Sequence, residues 1–209
     1  MNTDSKQLLH SGQLYDSSLC DLVDEQQRLL EKLYDFNATR PSQQEERQRL
    51  MKEMFGDIGK DCYIEPPLYS NWACKHAHFG DSVYANFSLT LVDDTHIYVG
   101  SHTMIGPNVT IATAGHPVCP RLRKEICAQY NAPVRIGENC RIGAGAIVLP
   151  GVTIGDNTVI GAGSVVTRDI PANVVAVGSP CRVMRPIDER DEEVYFRGKK
   201  IPEELKKRK

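Results

Sequence analysis

The chain has 209 residues, 25 Lys and Arg against 27 Asp and Glu, and a net charge of −2 with His neutral. That length suits one domain of ordinary size, and the near-neutral balance excludes a global electrostatic pull toward nucleic acid or an anionic membrane. No apolar run approaches the ~18 residues of a membrane span, and the opening MNTDSKQLLH is polar where a signal peptide would be apolar, so a soluble cytoplasmic protein is expected.

Residues 1–60 read as a helical cap. Gly12 is the only glycine before Gly56, and Leu19, Leu22, Val23, Leu29, Leu30, Leu33 and Tyr34 recur at helical spacing. After Pro41, Ser42-x-x-Glu45 has the form of a capping box opening a second helix. That helix would carry Leu50, Met51, Met54 and Phe55 on one face and end at Gly56.

From there the pattern changes period. A branched apolar residue recurs every six positions: Val99, Ile105, Ile111, then Ile136, Ile142, Val148, Ile154, Ile160 and Val166. Glycine follows six of these nine, at 100, 106, 137, 143, 155 and 161. A strand alternates every ~2 residues and a helix every ~3.6, so a period of six fits neither a hairpin sheet nor a helix. It fits a parallel β-solenoid over residues 61–187, with each hexad a flat face, three hexads a coil, and glycine easing the corner. Backward, the series runs Phe79, Ala85, Leu91 and Ile97 and then slips by two to Val99, which predicts a bulge or a corner irregularity. Between Ile111 and Ile136 the pattern is absent, so residues 112–133 are expected to loop out without structure of their own and to carry function. The tail, 188–209, ends in EELKKRK and reads as solvated and mobile, and the helical cap is expected to cover the open end of the solenoid.

Seven cysteines (Cys20, Cys62, Cys74, Cys119, Cys127, Cys140, Cys181) include no C-x-x-C pair, which argues for reduced, mostly packed thiols. Only Cys119 and Cys127, in the polar loop, are candidates for reactivity.

Several stretches together resemble the maltose/galactoside O-acetyltransferases of the hexapeptide-repeat acyltransferase superfamily. They are SGQLYD (11–16), EMFGDIG (53–59), EPP (65–67), YANF (84–87), VDD (92–94), IGPNVTI-x-TAGHP (105–117) and LPGVTIGDNTVIGAGSVVTRDIPANVVAVGSPCRV (149–183). The resemblance implies a mainly β, left-handed parallel β-helix that assembles as a homotrimer with active sites between subunits. It also implies acetyl transfer from acetyl-CoA, as co-substrate, to a sugar hydroxyl without a metal. An alcohol attacking a thioester needs a base near pH 7, the range of histidine, and His116 of TAGHP is the histidine in the looped-out segment. The family pattern carries Asn86 and Asp94 over as acceptor-binding residues, with Tyr84 and Asp16 bordering the pocket. CoA contacts carry over to Ala144 and Ala162 through backbone groups and to Thr167, Arg168, Arg182 and Arg185, arginine suiting phosphate. Trp72 is a candidate sugar-stacking residue, with ordinary packing the stronger reading.

Three positions depart from the family pattern. Arg141 stands where tryptophan is usual, Gln129 where many members have an acid that would orient His116, and Ala132 where lysine is usual. Two rival readings compete: a non-catalytic trimeric scaffold, and a γ-carbonic-anhydrase-like zinc enzyme drawing on His76, His78, His96, His102 and His116. The second lacks that family's pair of ligands five apart, since His96 and His102 are six apart. An amine acceptor also stays open.

Overall fold

The structure, a computed structural model, describes residues 5–18 and 20–206. Leu19 lies outside the described residues, and so does the side chain of Cys20.

Three parallel sheets close a left-handed triangular β-helix. Face I stacks Asp57–Ile58, Ala77–Phe79, Ile97–Val99, Val134–Ile136 and Thr153–Ile154. Face II stacks Tyr63–Ile64, Tyr84–Ala85, Met104–Ile105, Arg141–Ile142, Val159–Ile160 and Val174–Val177, and the antiparallel strand Arg182–Pro186 closes its edge. Face III stacks Leu68–Ser70, Leu89–Val92, Thr110–Ala112, Ile147–Val148 and Val165–Val166. All nine residues of the six-residue series point inward and are at most 3% exposed. Each face thus contributes an apolar column, such as Ile64, Ala85, Ile105, Ile142, Ile160 and Ala176 on face II.

The repeat glycines have a different reason from the one their sequence suggests. None of the six has a positive φ. What they lack is a Cβ: at Gly155 an added one would stand 2.7 Å from Ala172 Cα and 2.9 Å from Pro171 C, both backbone atoms of the next coil. The corner geometry falls instead to a left-handed residue in each coil. Between faces I and II these are Asp61, Ser82, His102, Asn139, Asn157 and Asn173; between II and III they are Ser88, Asn108, Gly145 and Gly163. Asn139, Asn157 and Asn173 form a ladder, each Nδ2 donating to the next Oδ1 at 2.9 and 3.0 Å. Asparagine tolerates this backbone and its amides stack down the corner.

The third corner, between faces III and I, is irregular and holds every excursion of the β-helix. The two-residue slip belongs here: Ile97 and Val99 are both buried on one strand on either side of Tyr98, Phe79 pairs with Val99, and the extra residues sit in the corner 93–96. Of the two expected alternatives, the slip is therefore a corner irregularity and not a bulge in that strand. The segment 113–133 also leaves from this corner, but it is structured. Ala114–Gly115 and Ala128–Asn131 form an antiparallel hairpin around the helix Pro120–Ile126, and Tyr15–Asp16 joins as a third strand.

The cap comprises α1 (Ser5–His10), α2 (Cys20–Ala38) and α3 (Gln44–Met54). Leu33, Phe36, Leu50, Met51, Met54 and Phe55 merge with the core of the first coils. The capping box is not formed. Gln43 is the N-cap of α3 with no side-chain cap bond, its Oε1 accepting from Arg40 N at 2.7 Å, and the helix ends at an extended Phe55. Val23 and Tyr34, read as part of the apolar face, are exposed, whereas Phe36 is fully buried. The tail is exposed yet folds on itself through the short helices Arg190–Glu193 and Glu203–Lys206 and a Lys206–Glu193 ion pair. No helix among the described residues is long and apolar enough to cross a membrane.

Replacing Gly155 with alanine forces its methyl into unyielding backbone, and overpacking of this kind costs about 1–3 kcal/mol. The unfolding midpoint of Gly155→Ala is expected to fall by several degrees, at ~2–4 °C per kcal/mol. A thermal melt with an unchanged midpoint would refute the close-approach account.

Candidate active site

Most of the chemistry-bearing side chains gather at the irregular corner. His116 follows Ala114–Gly115, and its ring Nδ1 is 2.9 Å from the carbonyl oxygen of Ala128. A carbonyl only accepts, so Nδ1 carries the proton; in the neutral ring Nε2 is then the acceptor, on an exposed side chain. The orienting group is therefore a backbone carbonyl, supplied by the residue before Gln129.

Gln129 is buried on the same strand. Its Nε2 lies 2.7 Å from Tyr15 Oη, 3.0 Å from Asn131 Oδ1 and 3.2 Å from Asp94 Oδ1. Asn131 Nδ2 donates to Tyr15 Oη at 3.0 Å and to the carbonyl of Leu9 at 2.9 Å. Asp94, 9% exposed, accepts on its other oxygen from Asn71 Nδ2 at 2.9 Å. Burial raises the Tyr15 phenol above its ordinary range, which keeps it a neutral hydroxyl. Leu9, Tyr15, Ser17, Leu22, Val23, Gln26, Trp72, Asp94 and Gln129 enclose a pocket of about 210 Å³ next to the segment that carries His116. Trp72 is 3% exposed and packs with Leu9, Tyr15 and Leu22 while forming part of this wall.

Other expected residues lie elsewhere. Asp16 is not on the pocket wall: its Oδ1 accepts from Ser18 N and Oγ at 2.9 and 2.6 Å, which lowers its carboxyl, and Tyr15 and Ser17 face the pocket instead. Tyr84, stacked on Tyr63 at 6.2 Å, begins the face II strand Tyr84–Ala85, and Asn86 follows that strand at the corner between faces II and III. Within the chain Asn86 and His116 thus occupy different corners. Ala144 and Ala162 share the Asn86 corner, where Gly145 and Gly163 leave open space with no atom within 4 Å of an added Cβ. Thr167 and Arg168 are exposed at the irregular corner, and Arg182 is exposed on the closing strand, with Nη1 donating to the carbonyl of Cys181. Arg185 is already engaged, gripping Asp191 through two hydrogen bonds of 2.6 and 2.7 Å. Arg141 is exposed on face II. Cys62, Cys74, Cys140 and Cys181 are buried, and burial pushes their thiols up; Cys119 and Cys127 flank the exposed helix of the excursion.

Sequence reasoning took up His76, His78 and His96 only for the rival zinc reading and overlooked His10. In the structure His10 of α1 stacks on His96 at 4.5 Å and meets His76 edge-on at 4.8 Å, while His78 Nε2 lies 2.8 Å from His96 Nδ1 and His78 Nδ1 2.6 Å from Asp57. His76 is buried with Nδ1 donating to the carbonyl of Asp93 at 2.7 Å. Among the described residues no group of three or more His, Cys, Asp or Glu is arranged to hold a metal ion.

A solenoid of six-residue repeats with an exposed histidine on a hairpin beside a polar-walled pocket defines a hexapeptide-repeat acyltransferase. Residues 9–59 match the maltose acetyltransferase hexapeptide capping motif, and residues 133–168 match the bacterial transferase hexapeptide as six repeats. A galactoside O-acetyltransferase of Lactococcus lactis is 55% identical over 198 residues, 95% of either chain. One from Escherichia coli is 44% identical over 201 residues, 96% of this chain and 98% of that one. A solved galactoside acetyltransferase in complex with coenzyme A has a TM-score of 0.90 at 44% identity, covering 95% of this chain and 98% of that one. A maltose O-acetyltransferase structure from Clostridium difficile has a TM-score of 0.85 at 41% identity, covering 88% and 97%. The chain belongs to the maltose/galactoside O-acetyltransferase family.

Burial, with charge from His10, Lys75 and His96 behind it, holds His76 down at about 4 from the ordinary 6.5. His10 is lowered by burial and then by Lys75, and His96 by burial and then by His10, His78 and Arg135. Histidines that fold in the neutral form contribute stability that is fully present above pH 6.5 and is lost as pH falls toward 4. Asp93, pushed up to about 6 by burial, runs the other way: its contribution is present below about pH 4 and lost as pH rises through 6. Denaturant titrations should therefore find a less steep loss of stability between pH 6.5 and 4 in His76→Gln than in the native chain. Equal slopes would discard the buried neutral imidazole as the cause.

Proposed function

We propose that the protein transfers an acetyl group from acetyl-CoA to a hydroxyl of a sugar of the galactoside or maltose type, in one sequential step with His116 as general base. His116 Nε2 takes the acceptor hydroxyl proton while that oxygen bonds to the acetyl carbonyl carbon; the carbon–sulfur bond then breaks and the proton passes to the leaving thiolate. The observation that carries this reading is the bond from His116 Nδ1 to the Ala128 carbonyl, which fixes the ring with a free acceptor nitrogen next to the Asp94 pocket. Asp94 would hold acceptor hydroxyls as a hydrogen-bond acceptor, and a backbone N–H of the coil corners would receive the developing oxyanion. The open, backbone-lined corner at Ala144 and Ala162 suits a pantetheine arm, and the exposed Arg168 and Arg182 suit phosphate. Arg185 would have to share its guanidinium with Asp191. Relatives described as galactoside O-acetyltransferases, and a similar structure described in complex with coenzyme A, support the substrate classes.

The different corners of Asn86 and His116 support a homotrimer whose sites join the Asn86 corner of one subunit to the His116 corner of its neighbour. Rings closed head to tail bring two unlike corners together at every interface.

His116→Ala is expected to lose a hundredfold or more in acetyl transfer, read as thiol release, with coenzyme A binding unchanged. Asn86→Ala should be impaired as well. Co-refolding the two inactive chains in equal amounts should restore activity, because about a quarter of random interfaces would pair an intact His116 with an intact Asn86. Mixtures that stay as inactive as their parents would sink the shared-site reading.

A further inference from the structure

Gln129 has no part in the chemistry just described, yet it touches both halves of the site. Its side chain is within hydrogen-bond reach of Asp94, Tyr15 and Asn131, and its own main chain pairs with Tyr15 across the strand. The preceding carbonyl, that of Ala128, orients His116. We propose that Gln129 is a positioning residue that sets the spacing between the acceptor-binding carboxylate and the base, and that this requires an uncharged N–H donor at 129. The proposal rests on the reading of Asp94 and His116 given above.

The physical argument turns on what faces the side chain. Among the described residues Asp94 Oδ1 receives the Gln129 amide and its other oxygen receives Asn71, so the carboxylate is held from both sides by neutral donors. Removing the Gln129 donor leaves a buried carboxylate oxygen short of a partner and frees the strand whose carbonyl steers the imidazole. A carboxylate at 129 would be worse at neutral pH, because it would face Asp94 across about the same 3.2 Å with no proton between them. Once protonated, the glutamic acid would again present a donor in the same place. A view in which any acid at this position orients the base makes the opposite forecast, since there a glutamate improves the enzyme.

The test compares the native enzyme with Gln129→Glu and Gln129→Met, using acetyl-CoA and methyl β-galactoside. Both kcat and KM are measured from pH 5 to 8.5. Binding of the same galactoside to the same proteins carrying His116→Ala is followed by the fluorescence of Trp72, the chain's only tryptophan and part of the pocket wall. Thermal melts and molecular size control for folding. Gln129→Met should lose tenfold or more in kcat/KM at all pH values and bind the galactoside more weakly. Gln129→Glu should match that loss at pH 8 and recover toward the native rate as pH falls, so its ratio to the native enzyme depends on pH. Comparing one variant with itself across pH keeps the result clear of any general folding defect. A Gln129→Glu ratio that is flat with pH, or at or above one, overturns the proposal, as does Gln129→Met with native kinetics and native binding. If instead the native enzyme fails to acetylate the probe, or His116→Ala remains fully active, the functional reading falls; galactoside binding to the Met and Glu variants then still decides the role of Gln129.

Discussion

Coil-on-coil approach is the constraint on which everything else in this molecule rests. Each coil must lie close enough to the next for its N–H groups to reach the carbonyls above, as in Gly137 N to Ile154 O at 2.8 Å and Gly143 N to Ile160 O at 2.8 Å. At that spacing the residues leaving the strands at 100, 106, 137, 143 and 155 have no room for a side-chain carbon, so glycine recurs where the backbones almost touch. The turn itself passes to the left-handed Asn, Ser and Gly positions two residues further on. One distance therefore separates two jobs that a single glycine was expected to perform.

The same constraint explains where the candidate site sits. Two of the three corners are held to a fixed length by ladders of left-handed residues, since an added residue there would break the register of every coil below. The corner between faces III and I carries no such ladder, and segments of differing length leave and rejoin it without disturbing the columns of Ile and Val. Asp94, Trp72, the histidine cluster and the hairpin bearing His116 all occupy that corner. The apolar stack supplies rigidity, and the excursions supply chemistry on a scaffold that does not move with them.

Much of this was legible from particular residues. The series from Val99 to Val166 revealed inward columns because every member has the same environment, and TAGHP stood out because it interrupts the series. What escaped were contacts between elements far apart in the chain. Tyr15, Leu9 and Asn131 meet across more than a hundred positions, and nothing in the local pattern of LYD or AQYN shows that their polar atoms would face each other. His10 was missed for the same reason: a lone histidine at the end of a short helix acquires its meaning from His76 and His96, which no periodicity links to it. The Ser42 and Glu45 pair misled because a capping box is a local signal, and here Gln43 and Arg40 settle the helix start between them.

The corner also has a consistent electrostatic character. Its interior is filled with groups that fold neutral: His76 held at about 4, a Tyr15 phenol raised by burial, and the amides of Gln129, Asn131 and Asn71. In a medium of low polarity a second charge near Asp94 would have to be solvated or paired, and the side chains that donate to it among the described residues, Gln129 and Asn71, are neutral. Neutral donors avoid that cost while giving each carboxylate oxygen a hydrogen bond. They also leave the field at His116 to a carbonyl dipole, so its orientation does not depend on the ionisation of any neighbour. An imidazole held this way takes its orientation from the main chain, which couples the geometry of the site to the strand pairing that builds the hairpin.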